Sequence, residues 1–153
     1  MRALVQRVTS GKVEVDGKVT GSVEKGMVVL VGVTHSDTEE DARYLAEKCV
    51  YLRIFDDDNG VMNRSLMDVQ GGMLAISQFT LYGDTVKGRR PFYGAAARPE
   101  EAVVLYEKFM ELVRGYGVHV ESGIFGAEMA VEIHNDGPVT LMQIGRASCR
   151  ERV

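Results

Sequence analysis

The segment Ser77-Gln78-Phe79-Thr80-Leu81 brings two hydroxyls and a carboxamide together behind the apolar run Leu74-Ala75-Ile76. A hydroxyl at the end of a strand is a candidate nucleophile, and a carboxamide beside it is a candidate partner, because a rigid scaffold can hold loop-borne groups in place. Ser77, Gln78 and Thr80 are therefore the candidate catalytic residues. No acid, histidine or lysine stands inside the motif to activate either hydroxyl. If the strand continues through it, period-two alternation puts Ser77, Phe79 and Leu81 on one face and Gln78 and Thr80 on the other.

Two further segments could bind rather than react. Lys87-Gly88-Arg89-Arg90, followed by Pro91, Phe92 and Tyr93, is a compact basic stretch beside aromatic residues. It reads equally as a phosphate- and base-contacting loop or as a solvated charged turn. Asn135-Asp136-Gly137-Pro138-Val139-Thr140 sets a Gly-Pro pair between two strand-like runs. Proline has no N–H and a fixed φ, so it cannot sit in a regularly paired central strand, while glycine accepts backbone angles closed to other residues. The pair reads as an ordinary hairpin turn or as a rigid backbone surface that recognises a ligand by shape.

Other chemistry finds little support in the sequence. Asp56-Asp57-Asp58-Asn59-Gly60 misses the calcium-loop frame, since glycine falls one place early and Met67 stands where the closing Glu belongs. His35, His119 and His134 lack metal-ligand spacing, and no phosphate-binding Gly-rich loop or nucleophile elbow occurs. No metal and no cofactor is expected. Cys49 lies on the apolar face of a helical pattern and reads as a buried structural thiol.

The elements that must position these groups follow from periodicity. Arg2 to Val8 alternates as a strand, and Val13-Glu14-Val15 and Lys18-Val19-Thr20 flank Asp16-Gly17 as a hairpin. Met27 to Val33 is a continuous apolar run, as in a strand buried on both faces. Ser36-Asp37-Thr38-Glu39 has capping-box spacing, and Ala42, Leu45, Ala46, Cys49 and Leu52 share a face, giving a helix from Asp37 to Leu52. A second helix starts at Pro99, carries Glu100 and Glu101 in its first turn, buries Ala102, Leu105, Phe109 and Leu112, and stops at Gly115. Leu74-Ala75-Ile76, Val118-His119-Val120 and Met129 to Ile133 supply more strands. The fold class is α/β of mixed α+β character, with layered sheets and two long helices.

The chain has 153 residues, 45% hydrophobic and 26% charged, as in soluble globular domains. Basic residues number 18 against 22 acidic, which argues against nonspecific polyanion binding. No apolar stretch approaches the roughly 20 residues that span a bilayer, and Met1 to Arg7 reads as a strand rather than a signal peptide. The last ten residues, Ile144 to Val153, break in composition and periodicity from the rest. They resemble the translation of a sequencing-library adapter and are read as a non-native tail, so one domain is expected over residues 1–143. Without them one cysteine remains, which suits a reducing compartment, and a cytoplasmic location is expected.

Four motifs in order, Arg2-Ala3-Leu4-Val5-Gln6-Arg7-Val8, Ser77 to Leu81, Gly123-Ile124-Phe125-Gly126-Ala127-Glu128-Met129 and Asn135 to Thr140, closely resemble the D-aminoacyl-tRNA deacylase family. The resemblance implies that family's fold and a homodimeric hydrolase that frees D-amino acids, or glycine misattached to an alanine tRNA, from the terminal adenosine. It implies that Gly137-Pro138 is a Gly-cisPro motif inserted into the partner subunit's pocket to exclude L-amino acids, with Arg7 supporting it. Phe79, Phe125 and Met129 are then expected to shape the substrate pocket, with Ala102 a small residue near the site. Family chemistry is often assigned to the substrate's own 2′-hydroxyl and an activated water, which agrees with the missing triad. The alternatives are a noncatalytic RNA-binding module using Lys87, Arg89 and Arg90, or a sister editing branch that differs at the positions of Ser77 and Phe79.

Overall fold

The computed structural model describes residues 1–145. From residue 146 onward the suspected tail lies outside the described residues. Its first two residues do not: Ile144 pairs with Arg2 as the last residue of a strand, and the Gly145 N–H donates to the Met1 carbonyl at 2.7 Å.

A long strand organises the fold. β1 (Arg2–Val15) runs without a break through Thr9 and Ser10, where two separate strands are expected from the pattern. Gly11 is what permits this: a Cβ there would stand 2.8 Å from a Val28 methyl carbon, so the strand bends closely over its neighbour. β2 (Lys18–Val23) returns through the Asp16-Gly17 turn and pairs with the second half of β1. β3 (Gly26–Gly32) pairs antiparallel with the first half. β8 (Ala130–Ile144) covers the other edge of β1 along nearly its whole length.

Parallel strands extend the sheet beyond β3: β6 (Gly72–Ser77) and then β7 (Val120–Ser122), two residues later than the expected Val118 to Val120. The sheet rolls toward closure, because β2 comes against β7. A Cβ on Gly21 would sit 2.6 Å from the Ser122 carbonyl oxygen, and the Ser22 N–H donates to Glu121 Oε1 at 2.8 Å. β4 (Phe55–Asp56) and β5 (Met62–Arg64) make a separate hairpin around the acidic turn, where the Asp57 carboxylate accepts the amides of Asn59 and Val61.

The rolled sheet has two apolar faces, which is why Met27 to Val33 carries no polar residue but Gly32. Met27, Val29 and Val31 face α1 (Glu39–Tyr51) and α3 (Pro99–Gly115), meeting Leu45, Cys49, Phe109 and Val113. Val28 turns inward with Val8, Val13, Leu74 and Ile76. Both faces are fully excluded from water at these positions, so a Phe109→Ala cavity costs about 3–5 kcal/mol. α1 begins later than expected because Thr38, not Ser36, is its cap, and Asp41 closes the capping box by accepting the Thr38 N–H at 2.9 Å. A short α2 (Leu66–Val69) uses Ser65 and Asp68 in the same way.

Cys49 is completely buried, and burial pushes its thiol up to about 12, so it is a packing residue. Among the described residues no group of histidine, cysteine and carboxylate side chains could hold a metal, and no helix is long and apolar enough to cross a membrane.

Candidate active site

β3 and β6 run parallel, and their C-terminal ends open into a pocket of about 640 Å³. Val31 and Val33 form one wall, Ile76 and Ser77 the floor, and Gln78 and Phe79 the lip. Arg98, Pro99 and Ala102 bring in the first turn of α3, and Phe125 to Ala127 with Met129 and Val131 close the far side. Ligands commonly bind beyond the carboxyl ends of parallel strands, and the pocket occupies that place.

The local path departs from simple alternation. The strand stops at Ser77, and Phe79–Tyr82 forms a single 3₁₀ turn, so Gln78 and Thr80 do not lie on the back of a continuing strand. The Gln78 amide nitrogen instead donates to the Thr80 hydroxyl. Gln78 N–H is held by the Val31 carbonyl at 2.8 Å, Leu81 N–H bonds back to Gln78, and Gly83 N–H to Thr80. The amides of Phe79 and Thr80 open the turn, where N–H groups have no acceptor within the turn itself. Arg2 fixes its far end, donating to the Leu81 carbonyl at 2.8 Å with its guanidinium 4.5 Å from the centre of the Tyr82 ring.

Six of the candidate residues share the pocket: Ser77, Gln78, Phe79, Ala102, Phe125 and Met129. Thr80 is exposed outside its lining, with Gln78 as its side-chain partner. Apart from the phenol of Tyr93, the one ionisable side chain lining the pocket is Arg98, so no carboxylate, histidine or lysine stands there to activate a serine. Phe125 is backed by Tyr106 at 6.0 Å between ring centres. The Tyr106 hydroxyl donates to the Ala75 carbonyl at 2.6 Å, and burial pushes its ionisation up to about 12, so it acts as a neutral strut.

Arg7, Gly137 and Pro138 are not in this pocket; they form a second feature. β8 bulges where it passes Arg7: Gln6 pairs with Thr140 and Val8 with Asn135, leaving Asp136 to Val139 opposite one residue of β1. The Gly137-Pro138 peptide is cis and both residues are exposed. Gly137 has φ +114, and a Cβ there would lie 2.8 Å from Arg7 Nη2 and 3.0 Å from Val139, so the position accepts only glycine without strain. Arg7 is buried beneath the bulge, with its Nη1 donating to the Ile54 carbonyl at 2.8 Å and its Nε to the Asp136 carbonyl at 3.3 Å. The carboxylates of Asp56 and Asp136 approach the same guanidinium at 3.5 and 3.2 Å.

Sequence reasoning passed over several of the residues that build these features. Asn135 straps the bulge, its amide nitrogen donating to the carbonyls of Arg7 and Val139 at 3.0 and 3.1 Å while its oxygen accepts the Thr140 hydroxyl at 3.0 Å. Its place before Asp-Gly-Pro was the available signal, since asparagine readily bonds neighbouring backbone. Tyr93, expected only as an aromatic neighbour of the basic stretch, lines the pocket and meets Phe79 edge-on at 5.0 Å, and Arg98, not singled out in the sequence, enters from the start of α3.

A largely apolar hollow lined by no carboxylate, histidine or lysine and an exposed backbone bulge over a buried arginine are thus the two features of the molecule that set its class. The D-Tyr-tRNA(Tyr) deacylase family model matches residues 4–143. A D-aminoacyl-tRNA deacylase of Fervidobacterium nodosum is 68% identical over 142 residues, covering 93% of this chain and 95% of that protein. One of Thermus aquaticus is 58% identical over 142 residues, with 93% of each covered. Among solved structures, the c-Myc DNA Unwinding Element Binding Protein superposes with TM-score 0.88 at 37% identity, over 94% of this chain and 97% of that one. A probable eukaryotic D-amino acid tRNA deacylase shares the fold, with TM-score 0.80 at 21% identity over 93% and 97% of the two chains. The chain belongs to the D-aminoacyl-tRNA deacylase family and is a hydrolase acting on mischarged tRNA.

Proposed function

We propose that the pocket holds the aminoacylated terminal adenosine of a D-aminoacyl-tRNA, or of glycine carried by an alanine tRNA, and that Gly137-Pro138 of a second copy closes it against L-amino acids. The observation that carries this reading is the contrast between the two features. The pocket offers volume and an apolar lining but no carboxylate, histidine or lysine, and the bulge exposes backbone to solvent with a buried arginine under it.

The amides of Phe79 and Thr80 would receive the ester carbonyl as its oxygen gains charge, a placement worth far more inside an apolar pocket than in water. Gln78 and Thr80 hold each other and so fix the lip. Ser77, without a base, serves better as a polar contact than as a nucleophile. Attack then falls to water or to the substrate's neighbouring 2′-hydroxyl, with the protein supplying orientation. Phe79, Phe125 and Met129 pack against the adenosine and aminoacyl group, and Ala102 leaves room for them.

Chirality follows from which volume is blocked. A carbonyl and a proline ring entering beside the α-carbon can contact the α-amino group while filling the space of an L side chain. D side chains of many sizes point elsewhere, and glycine has none to exclude. Purified protein is expected to release D-tyrosine from tRNA and spare L-tyrosyl-tRNA, and to run as a dimer in light scattering. Pro138→Ala is expected to admit the L-form while its fold holds; unchanged rejection of L-tyrosyl-tRNA by that variant removes the bulge from the mechanism.

A further inference from the structure

We propose that the loop from Asp84 to Phe92 is the seat of the single-stranded tRNA segment leading into the pocket, with Lys87, Arg89 and Arg90 on its phosphates and Phe92 against a base. This rests on the reading that the terminal adenosine occupies the pocket, and it supplies what that reading lacks, a surface for the polynucleotide.

The loop is built as a rigid stem with a charged tip. Asp84 and Phe92 exchange two backbone hydrogen bonds of 2.8 Å across its base. Before the stem, Gly83 is tied to Thr80, next to the pocket lip; after it, His35 Nε2 meets the Gly94 carbonyl at 2.7 Å and Ala97 N–H donates to the Val33 carbonyl at 2.9 Å. Tyr93 lies in the pocket wall against Phe79, so the loop leaves from the rim itself.

At the tip, Lys87, Arg89 and Arg90 are exposed, and among the described residues none of them forms an ion pair or side-chain hydrogen bond. Three uncompensated cations within four positions stand out in a chain with more acidic than basic residues. The loop's own carboxylate, Asp84, turns back to accept the Val86 amide at 2.9 Å. Phe92 is 68% exposed beside these cations, an arrangement that suits a stacked base with phosphates on either side. An acidic protein that must accept a polyanion gains local attraction here without attracting nucleic acid over its whole surface.

The test is binding of a short single-stranded RNA ending in adenosine and carrying no amino acid, measured across a salt series for the wild type and for the combined K87Q, R89Q and R90Q variant. Each phosphate contact contributes about 0.7 to the slope of log affinity against log salt on a single strand, so the variant's slope is expected to be shallower by about 2. Between 50 and 200 mM salt the wild type then loses roughly 16-fold more affinity than the variant. Phe92→Ala is expected to weaken binding without changing the slope, because stacking releases no counterion. In deacylation the triple variant raises KM for D-tyrosyl-tRNA with kcat retained, and hydrolyses D-tyrosyl-adenosine, which has no phosphates, as the wild type does.

Equal slopes for the two proteins overturn the proposal, and so does an equal loss on tRNA and on D-tyrosyl-adenosine, which would make the loop part of the pocket's shape. A wild type that binds the RNA through these residues but leaves D-tyrosyl-tRNA intact sinks the deacylation reading and leaves the loop's role standing.

Discussion

The pocket and the β8 bulge solve opposite problems with opposite parts. In the pocket, apolar side chains line a hollow, and a 3₁₀ turn stands at its edge. In the bulge, side chains are anchors, and the surface presented is backbone. Arg7, Asn135 and Thr140 all bond inward, and Gly137-Pro138 is what they leave outside. Each region is therefore vulnerable in its own way: the bulge through what lies beneath it, the pocket through what is added to it.

Arg7→Ala is the strongest break. It strips charged donors from the Ile54 and Asp136 carbonyls under the bulge, and the Asp56 and Asp136 carboxylates lose their partner. Those carboxylates are about half exposed, so their pairing adds little. The unsatisfied carbonyls dominate, and a loss of about 2–4 kcal/mol is expected in denaturant unfolding. Rejection of L-aminoacyl-tRNA is expected to fail in whatever protein remains folded. Arg7→Lys recovers part of the stability but little of the selectivity, since one ammonium cannot reach both carbonyls in a planar fork. Full selectivity in Arg7→Ala would mean that the bulge keeps its shape without its anchor.

Ala102→Phe is the corresponding break in the pocket and acts by filling. Ala102 is half-buried at the start of α3 and faces the hollow, so a ring there has room to stand without displacing the core. Stability is expected to stay within about 1 kcal/mol of the wild type, while kcat/KM for D-aminoacyl-tRNA falls at least about tenfold, or 1.4 kcal/mol. The two substitutions thus separate in sign of effect: one unfolds more than it blocks, the other blocks more than it unfolds.

How much of this was legible in the sequence follows the same division. The two long helices, the Asp16-Gly17 hairpin and the doubly buried β3 are set by local spacing, and local spacing found them. The 3₁₀ turn was missed because Ser77 to Leu81 alternates as well as any strand; what ends the strand is the tie from Gln78 to Val31 and the grip of Arg2 on Leu81, contacts far apart in the chain. β1 was split at Thr9 to Gly11 because a glycine reads as a break, whereas here it allows close approach to Val28. Of the six pocket residues, Ser77 and Gln78 were legible from residue type at a strand end, whereas Phe79, Ala102, Phe125 and Met129 came from family resemblance, not from periodicity. Tyr93, Arg98 and Asn135 gain their roles only when distant segments meet.

Glu121 lies outside both regions and holds the rolled sheet closed. Its carboxylate latches β7 to β2 through the Ser22 amide and faces His119 Nε2 at 2.8 Å. The His119 hydrogen bond first, and the Ser22 amide second, hold its carboxyl below the usual value of 4.5. A carboxyl depressed in the folded state contributes stability above its unfolded value and loses it as pH falls through the folded one. Glu121→Gln keeps an oxygen for Ser22 but removes the charge. Its destabilisation is expected to be no more than about 0.5 kcal/mol near neutral pH, because the pair is exposed, to shrink as pH falls below 4.5, and to be gone once pH is below the lowered folded value. Thermal unfolding of both proteins from pH 3 to 7 reads that difference directly. Pocket activity and rejection of L-substrates are expected to be unchanged, since the latch touches neither the hollow nor the bulge. A loss of selectivity in Glu121→Gln would show that closure of the rolled sheet, and not Arg7 alone, sets the position of Gly137-Pro138.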